Sequence, residues 1–408
     1  MSRKHVLMLG PGEPSILNSG LGKAAQFLAD CIADDVKLTI VEPEKLDDFK
    51  NTLVERDFSP KYHVEHYSNV TQEISDYHVL ADIARMEISN AIAPYWYNAG
   101  TYEVNREYRV PIVQEKVEQF TKEIIEKVDL LEYDLVYAHD WLTFMAAMAI
   151  KEKLNVPLIL HIHSLEHDRN PNADISWVFE LEQDAMNVAD RVICVSYYSK
   201  SIIQAVYGID GDKVEVVHNG YQEHHIPKHP NPFKEKVVLF VGRLTNQKGP
   251  TQFLKIAEHV HRHYPNSRFI MAGDGDLYQS LIEAGAHSSI ASRFHMTGHL
   301  SSEELDKLYS MADVYCMPSV SEPFGLTALE AAGAGLPMVI SKTSGAAEVL
   351  DGAINVNWDD TIGFANEIVK LLKNEKMKHY YITKNQKAVH ALTWKHAANK
   401  ITNIFHTV

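Results

Sequence analysis

Short apolar runs rich in β-branched residues recur along the chain, each followed by a loop and then by a segment whose apolar positions repeat at helical spacing. The first series is Val6–Leu9, Val36–Val41, Leu135–Ala138, Leu158–Ile162 and Val192–Val195; the second is Val237–Val241, Phe269–Ala272, Val314–Met317 and Met338–Ile340. Runs this short and apolar throughout suit strands buried on both faces, and their alternation with helices predicts parallel sheets covered on both sides. Between the series, His224–Phe233 is rich in Pro and His and has no periodicity, which marks an interdomain linker. The pattern predicts an α/β chain of two doubly wound domains, 1–226 and 227–390, followed by a terminal helix, 391–408, that begins after a break near Thr393. In such sheets ligands bind beyond the carboxyl ends of the strands, so two facing domains form a cleft. From Ser59 to Asp134 the rhythm breaks into an aromatic-rich stretch with Tyr95-Trp96-Tyr97 and Tyr102, then an acidic amphipathic helix over about Val113–Leu130. That stretch reads as an excursion with its own small core, or as a platform for stacking sugar rings.

Composition narrows the function. With 408 residues, 45% of them hydrophobic, the chain is too long for one core. The formal charge of −15 disfavours nucleic acid and strong attachment to anionic membranes, since either would be repelled at long range. No apolar run approaches the length of a membrane span or a signal segment, and Cys31, Cys194 and Cys316 lie far apart amid apolar residues. A reducing, cytoplasmic setting is expected, without disulfides or a cysteine-based zinc site. His259 and His263 stand one helical turn apart, but no acidic residue completes a metal motif there, and they sit at the solvated end of a helix over Thr251–Tyr264. No metal site is predicted.

Two phosphate-loop patterns fail on inspection. Gly10-Pro-Gly12-Glu-Pro14-Ser15 has Ser where a dinucleotide fingerprint needs its third glycine, and around Gly22-Lys23 the first glycine and the magnesium-binding hydroxyl of an ATPase loop are replaced by Leu17 and Ala24. What remains is Ser19-Gly20-Leu21-Gly22-Lys23 opening a helix, where two glycines let a ligand approach the backbone.

Two other loops carry more chemistry. Glu322 and Glu330 flank Pro323-Phe324-Gly325-Leu326-Thr327, a strand-to-helix turn whose amides and helix dipole would face an anion. With the helix starting near Gly325, Glu330 lies roughly 7 Å further along its axis, so the carboxylates can accept hydroxyls at opposite ends of one elongated ligand. Taken alone, the segment reads equally as an acidic loop and a dipole-stabilising Glu. The strand Val237–Val241 ends in Gly242-Arg243-Leu-Thr-Asn-Gln-Lys248-Gly249-Pro250, which puts two cations beside the start of a helix. Such a pair can neutralise a diphosphate and the charge that develops as it leaves.

Gly242-Arg243-x4-Lys248-Gly249, Gly273-Asp274-Gly275, Gly298-His299-Leu300 and Glu322-x7-Glu330 resemble, in order and spacing, the family 4 retaining glycosyltransferases of the GT-B fold. The resemblance runs over essentially the whole chain and is strongest in its C-terminal half. Ser19–Gly22, Ala138-His139-Asp140-Trp141 and Leu158–His163 look most like the bacterial glycogen and starch synthase branch. Ser164 follows His163 where that branch often has Asn, and Leu17 and Asn18 stand where its loop has lysine. The resemblance implies two Rossmann-like domains across a cleft, with the last helix crossing back to the first domain. It implies that Arg243 and Lys248 grip the donor diphosphate, that Glu322 binds hexose hydroxyls, and that Glu330 holds the ribose. The amides of Phe324, Gly325, Leu326 and Thr327 would contact hexose and phosphate. Gly242 and Gly273 would lie at the nucleotide site, the stretch Gly298 to Leu300 would border the base, and Gly20 and Gly22 would approach the phosphates from the other domain. His163 would lie near the anomeric carbon and Asp140 near the acceptor hydroxyl.

The expected activity is transfer of a hexose, glucose first, from a UDP- or ADP-hexose to a carbohydrate or other small hydroxyl acceptor, an α-glucan among them, with no cofactor or metal required. The alternatives are a nucleotide-sugar epimerase or hydrolase of the same architecture and a non-catalytic nucleotide-sugar binding protein. Base, hexose, acceptor and oligomeric state are left open by the pattern.

Overall fold

A computed structural model of the chain describes residues 3–10, 20–43, 63–67, 109–128, 132–170, 176–224 and 226–408. The first sheet contains β1 His5–Leu9, β2 Lys37–Pro43, β3 His63–Tyr67, β4 Leu135–His139, β5 Leu158–Ile162, β6 Arg191–Cys194 and β7 Val214–Val216, in the order β3-β2-β1-β4-β5-β6-β7. The second contains β8 Lys236–Val241, β9 Ser267–Ala272, β10 Phe294–Gly298, β11 Val314–Met317, β12 Met338–Ser341 and β13 Ile354–Val356, in the order β10-β9-β8-β11-β12-β13. All pairings within both sheets are parallel. Each sheet winds outward from one central strand and then returns to wind the other way, so switch points fall between β1 and β4 and between β8 and β11.

All nine apolar runs became strands, most within one or two residues of the expected bounds. The strands the pattern did not announce, β3, β7, β10 and β13, are the outermost strands of the two sheets among the described residues. An edge strand is covered less completely and tolerates polar residues, as in Val214-Glu-Val and Phe294-His-Met-Thr-Gly, so no continuous apolar run betrays it. β3 falls inside the stretch read as an irregular excursion, and the acidic helix beyond it spans Arg109–Lys127. The aromatic segment Tyr95–Tyr97, Tyr102 and the loop residues before Gly20 lie outside the described residues.

Between β7 and β8 no described residue is helical or in a strand. The chain returns at its end: the helix Trp394–Phe405 packs on the helix Gly20–Ile32. Trp394 stacks on Phe27 with ring centroids 5.4 Å apart, and Lys4 Nζ donates to the carbonyls of Phe405 and Val408, each at 2.8 Å. Thr393 caps this helix by accepting from the His396 amide. No disulfide joins Cys31, Cys194 and Cys316 among the described residues, and Cys194 and Cys316 are buried. Among the described residues no helix is long and apolar enough to cross a membrane.

Candidate active site

The carboxyl ends of β8, β9 and β11 bring the C-terminal signals together. After β8 the chain runs through a short turn, Asn246–Lys248, into the helix Pro250–His263. Gly249 sits between them at φ 69°, and a Cβ there would meet the Pro318 carbonyl oxygen at 2.2 Å, so both conformation and space require glycine. This turn delivers Lys248 to Glu322: its Nζ donates to Oε1 at 2.8 Å and Oε2 at 2.7 Å, with both side chains largely buried. Burial lowers the Lys248 pKa, opposed by the Glu322 charge. Arg243, part-buried on the same loop, donates to Gln247. Gly273 receives the closest approach: its Cβ would meet the Gly242 oxygen at 1.9 Å, and its amide donates to the Gly298 carbonyl at 3.0 Å. Gly242, Gly273 and Gly298 therefore form one continuous strip of backbone at the strand ends, with Leu300 partly buried just beyond.

The turn after β11 starts the helix Leu326–Gly333, one residue later than the start expected near Gly325. Gly325 takes φ 103° as its N-cap, Phe324 is buried, and Tyr315 donates its hydroxyl to Thr327 at 2.8 Å. Glu330 accepts from Tyr309 at 3.1 Å and from Lys23 Nζ at 3.3 Å. Lys23 comes from the first turn of the helix that begins at Gly20 and contains the buried Gly22, so the N-terminal glycine loop and the second carboxylate lie together.

Across from these, Asp140 follows β4 and His163 follows β5. Asp140 has φ 53° and ψ 169°, a conformation that costs a non-glycine residue about 1–3 kcal/mol. Its surroundings hold it there: its amide donates to the His161 carbonyl, and its Oδ1 accepts from the His163 amide at 2.7 Å. Burial pushes the Asp140 carboxyl from 3.8 up to about 7, in the range suited to handling a proton at neutral pH. Burial drives His163 down to about 3, so this imidazole is neutral. Because folding favours the protonated form of Asp140, its stabilisation is full below about pH 4 and is lost as the pH rises through about 7. Asp140→Asn is expected to lose less stability than wild type between those values, measured as urea midpoints; parallel curves would mean that another group titrates.

Several neighbours of these residues are poorly announced by the sequence. Asp168 is buried, accepts from the Leu165 amide and from the Ser321 hydroxyl, and so ties the segment after His163 to the residue next to Glu322. Ser321 also contacts the Tyr198 hydroxyl at 3.0 Å. Behind Asp168, the buried Glu182 accepts from Arg169, the Glu166 amide and the Tyr207 hydroxyl, which fixes the short helix Glu166–Arg169. Glu348 accepts from the amides of Tyr197 and Tyr198, at the start of the helix Tyr197–Ala205, and from His218. The only signal in the sequence was the charge cluster Glu166-His-Asp-Arg169 just past a strand end.

The model for Glycosyl transferases group 1 matches residues 222–388 and that for Glycosyltransferase Family 4 matches residues 92–224; together they span well over half of the chain. An uncharacterized glycosyltransferase of Methanocaldococcus jannaschii is 28% identical over 319 residues, 70% of this chain and 78% of that protein. A glycogen synthase of Mycobacterium tuberculosis is 31% identical over 249 residues, 59% of this chain and 60% of that protein. An Anabaena protein crystallised with UDP and glucose superimposes with a TM-score of 0.66 at 17% identity, covering 100% of both chains. With two doubly wound sheets joined by a returning terminal helix, and with these matches along its length, the chain belongs to the family 4 glycosyltransferases of the GT-B fold, on their glycogen synthase-like side.

Proposed function

We propose that this glycosyltransferase is a retaining, metal-independent hexosyltransferase that moves glucose from a UDP- or ADP-hexose to a carbohydrate or other hydroxyl acceptor, with an α-glucan as the first acceptor to test. The observation that carries the reading is the buried Lys248–Glu322 pair beside Arg243 and the helix that starts at Leu326. An ammonium has three donors and a carboxylate about four acceptor positions. Lys248 can therefore keep Glu322 in place and still donate to a phosphate oxygen, while Glu322 accepts hexose hydroxyls. Arg243 and Lys248 supply the positive charge that the departing diphosphate requires. Phe324–Thr327 offer their amides to hexose and phosphate, Glu330 takes the ribose hydroxyls, and the Gly242–Gly273 strip with Leu300 borders the nucleotide. Gly20 and Gly22 approach the phosphates from the facing domain. His163, neutral, faces the anomeric carbon, and Asp140 the acceptor hydroxyl. In this mechanism the departing phosphate oxygen removes the acceptor proton on the same face of the sugar. We assign 1–226 to the acceptor side, 227–390 to the donor side and 391–408 to the returning helix.

The name of the M. tuberculosis relative supports a glucan acceptor, and the UDP and glucose in the Anabaena protein support a UDP-glucose donor. A thermal-shift screen of UDP-, ADP- and GDP-hexoses tests the donor. The cognate one is expected to raise the unfolding temperature in proportion to the logarithm of its concentration once saturating, and no shift with any of them overturns the donor class. Product analysis follows. Transfer with retained anomeric configuration is expected; an epimerised sugar or free hexose from donor alone would favour the epimerase or hydrolase instead.

A further inference from the structure

β5 carries His161 and, just past its end, His163, two residues apart and so on one face of the sheet. On the neighbouring strand His139 pairs with His161 in register. The three rings lie together: His163 stacks on both others, with centroids 5.1 Å from His139 and 4.1 Å from His161, while His139 and His161 are tilted with centroids 5.2 Å apart. One ring nitrogen from each lies within 4.8 Å of the others. All three residues are buried, at 1%, 0% and 8% exposure for His139, His161 and His163. His259 and His263, one helical turn apart, are by contrast half-buried and exposed respectively.

Two of the ring nitrogens, Nε2 of His139 and Nε2 of His161, have no hydrogen-bond partner among the described residues. A buried nitrogen left without a partner forfeits the hydrogen bond it would make to water, and two in one cluster form an unusual concentration of lone-pair or N–H capacity. The Tyr137 hydroxyl bonds Nδ1 of His161, which orients that ring and leaves Nε2 as the atom it can offer. This is how ligating histidines are generally held: the distal ring nitrogen is engaged by an outer partner. Nδ1 of His139 and Nε2 of His163 already approach to 2.9 Å. With nitrogen donors alone, the set suits zinc-class ions over magnesium or calcium.

We propose that His139, His161 and His163 form a binding site for one divalent transition-metal ion of the zinc class, with His161 ligating through Nε2 and a fourth position left for a non-protein ligand. The consequence for catalysis rests on the placement of His163 at the sugar proposed above. Ion and hexose then draw on the same imidazole, so the ion acts as an inhibitor of transfer that leaves nucleotide binding intact.

The test uses the metal-free full chain and Co²⁺ as a spectroscopic stand-in for zinc. Wild type is expected to take up one Co²⁺ per chain with visible absorption of four- or five-coordinate geometry, and Zn²⁺ should displace it. His161→Gln and His139→Gln, each checked for folding by circular dichroism and urea midpoint, should bind at least about tenfold more weakly. His259→Gln, on the surface, should bind as wild type does. Absence of the band in wild type, or equal binding in His161→Gln and His139→Gln, overturns the site. Because this readout requires neither donor nor turnover, its failure is separate from failure of the transferase reading, which the donor screen decides.

Discussion

Lys248→Ala is expected to lower kcat by about 10²–10³-fold with the cognate donor, because it removes a preorganised cation from the point where negative charge develops. The same change truncates one partner of a pair with side-chain exposures of 17% and 8%, leaving the Glu322 carboxylate buried without its counter-charge. Breaking a buried pair in this way costs about 3–5 kcal/mol of stability. The two effects separate in the double variant. Adding Glu322→Gln to Lys248→Ala neutralises the orphaned carboxylate and restores much of the urea midpoint, whereas turnover stays low. Near wild-type kcat in folded Lys248→Ala would remove Lys248 from any leaving-group role.

Phe405→Ala is expected to cost about 3–5 kcal/mol, the range for truncating a fully buried aromatic. Phe405 has 0% exposure, meets Tyr137 edge-on at 5.1 Å, and shares one apolar cluster with Val6, Met8, Leu28 and Ile401. The last helix is thus part of the first sheet's core, and its loss exposes apolar surface on both sides. Urea unfolding followed by tryptophan fluorescence checks this, since Trp394 lies at the start of the same helix, stacked on Phe27. A midpoint shift equivalent to less than about 1 kcal/mol would mean the helix is not part of that core. Donor affinity should also weaken, because the helix braces Gly20–Ile32, whose first turn carries Lys23 to Glu330.

The residues differed in how openly they announced their roles. β4, β5, β8 and β11 were legible because strands buried on both faces need continuous apolar runs, which survive in any one-dimensional reading. The turn at Gly325 and the Gly249-Pro250 helix start were legible because backbone conformation and a missing N–H restrict residue type locally. The contact between Lys248 and Glu322, 74 residues apart, was not, since spacing shows only that each follows a strand of the same sheet. Asp168 and Ser321 are 153 residues apart and belong to different halves of the chain. Their hydrogen bond depends on how the two sheets face each other, which no local pattern encodes.

The histidines show the same division. Helical spacing makes His259 and His263 conspicuous, because i,i+4 is the separation a sequence displays on a helix. The cluster of His139, His161 and His163 combines a two-residue spacing along one strand with a register match to its neighbour. By itself the sequence determined the fold class, both strand series, the helix start at Pro250 and the residue types at the strand ends, all of which follow from local periodicity and backbone chemistry. Only the tertiary structure decided which strand ends meet, that Lys248 is buried against Glu322, and that Lys23 and Asp168 reach across to the second sheet's loops. Strand order and pairing register are set by packing between distant segments, and those quantities have no local signature in a chain.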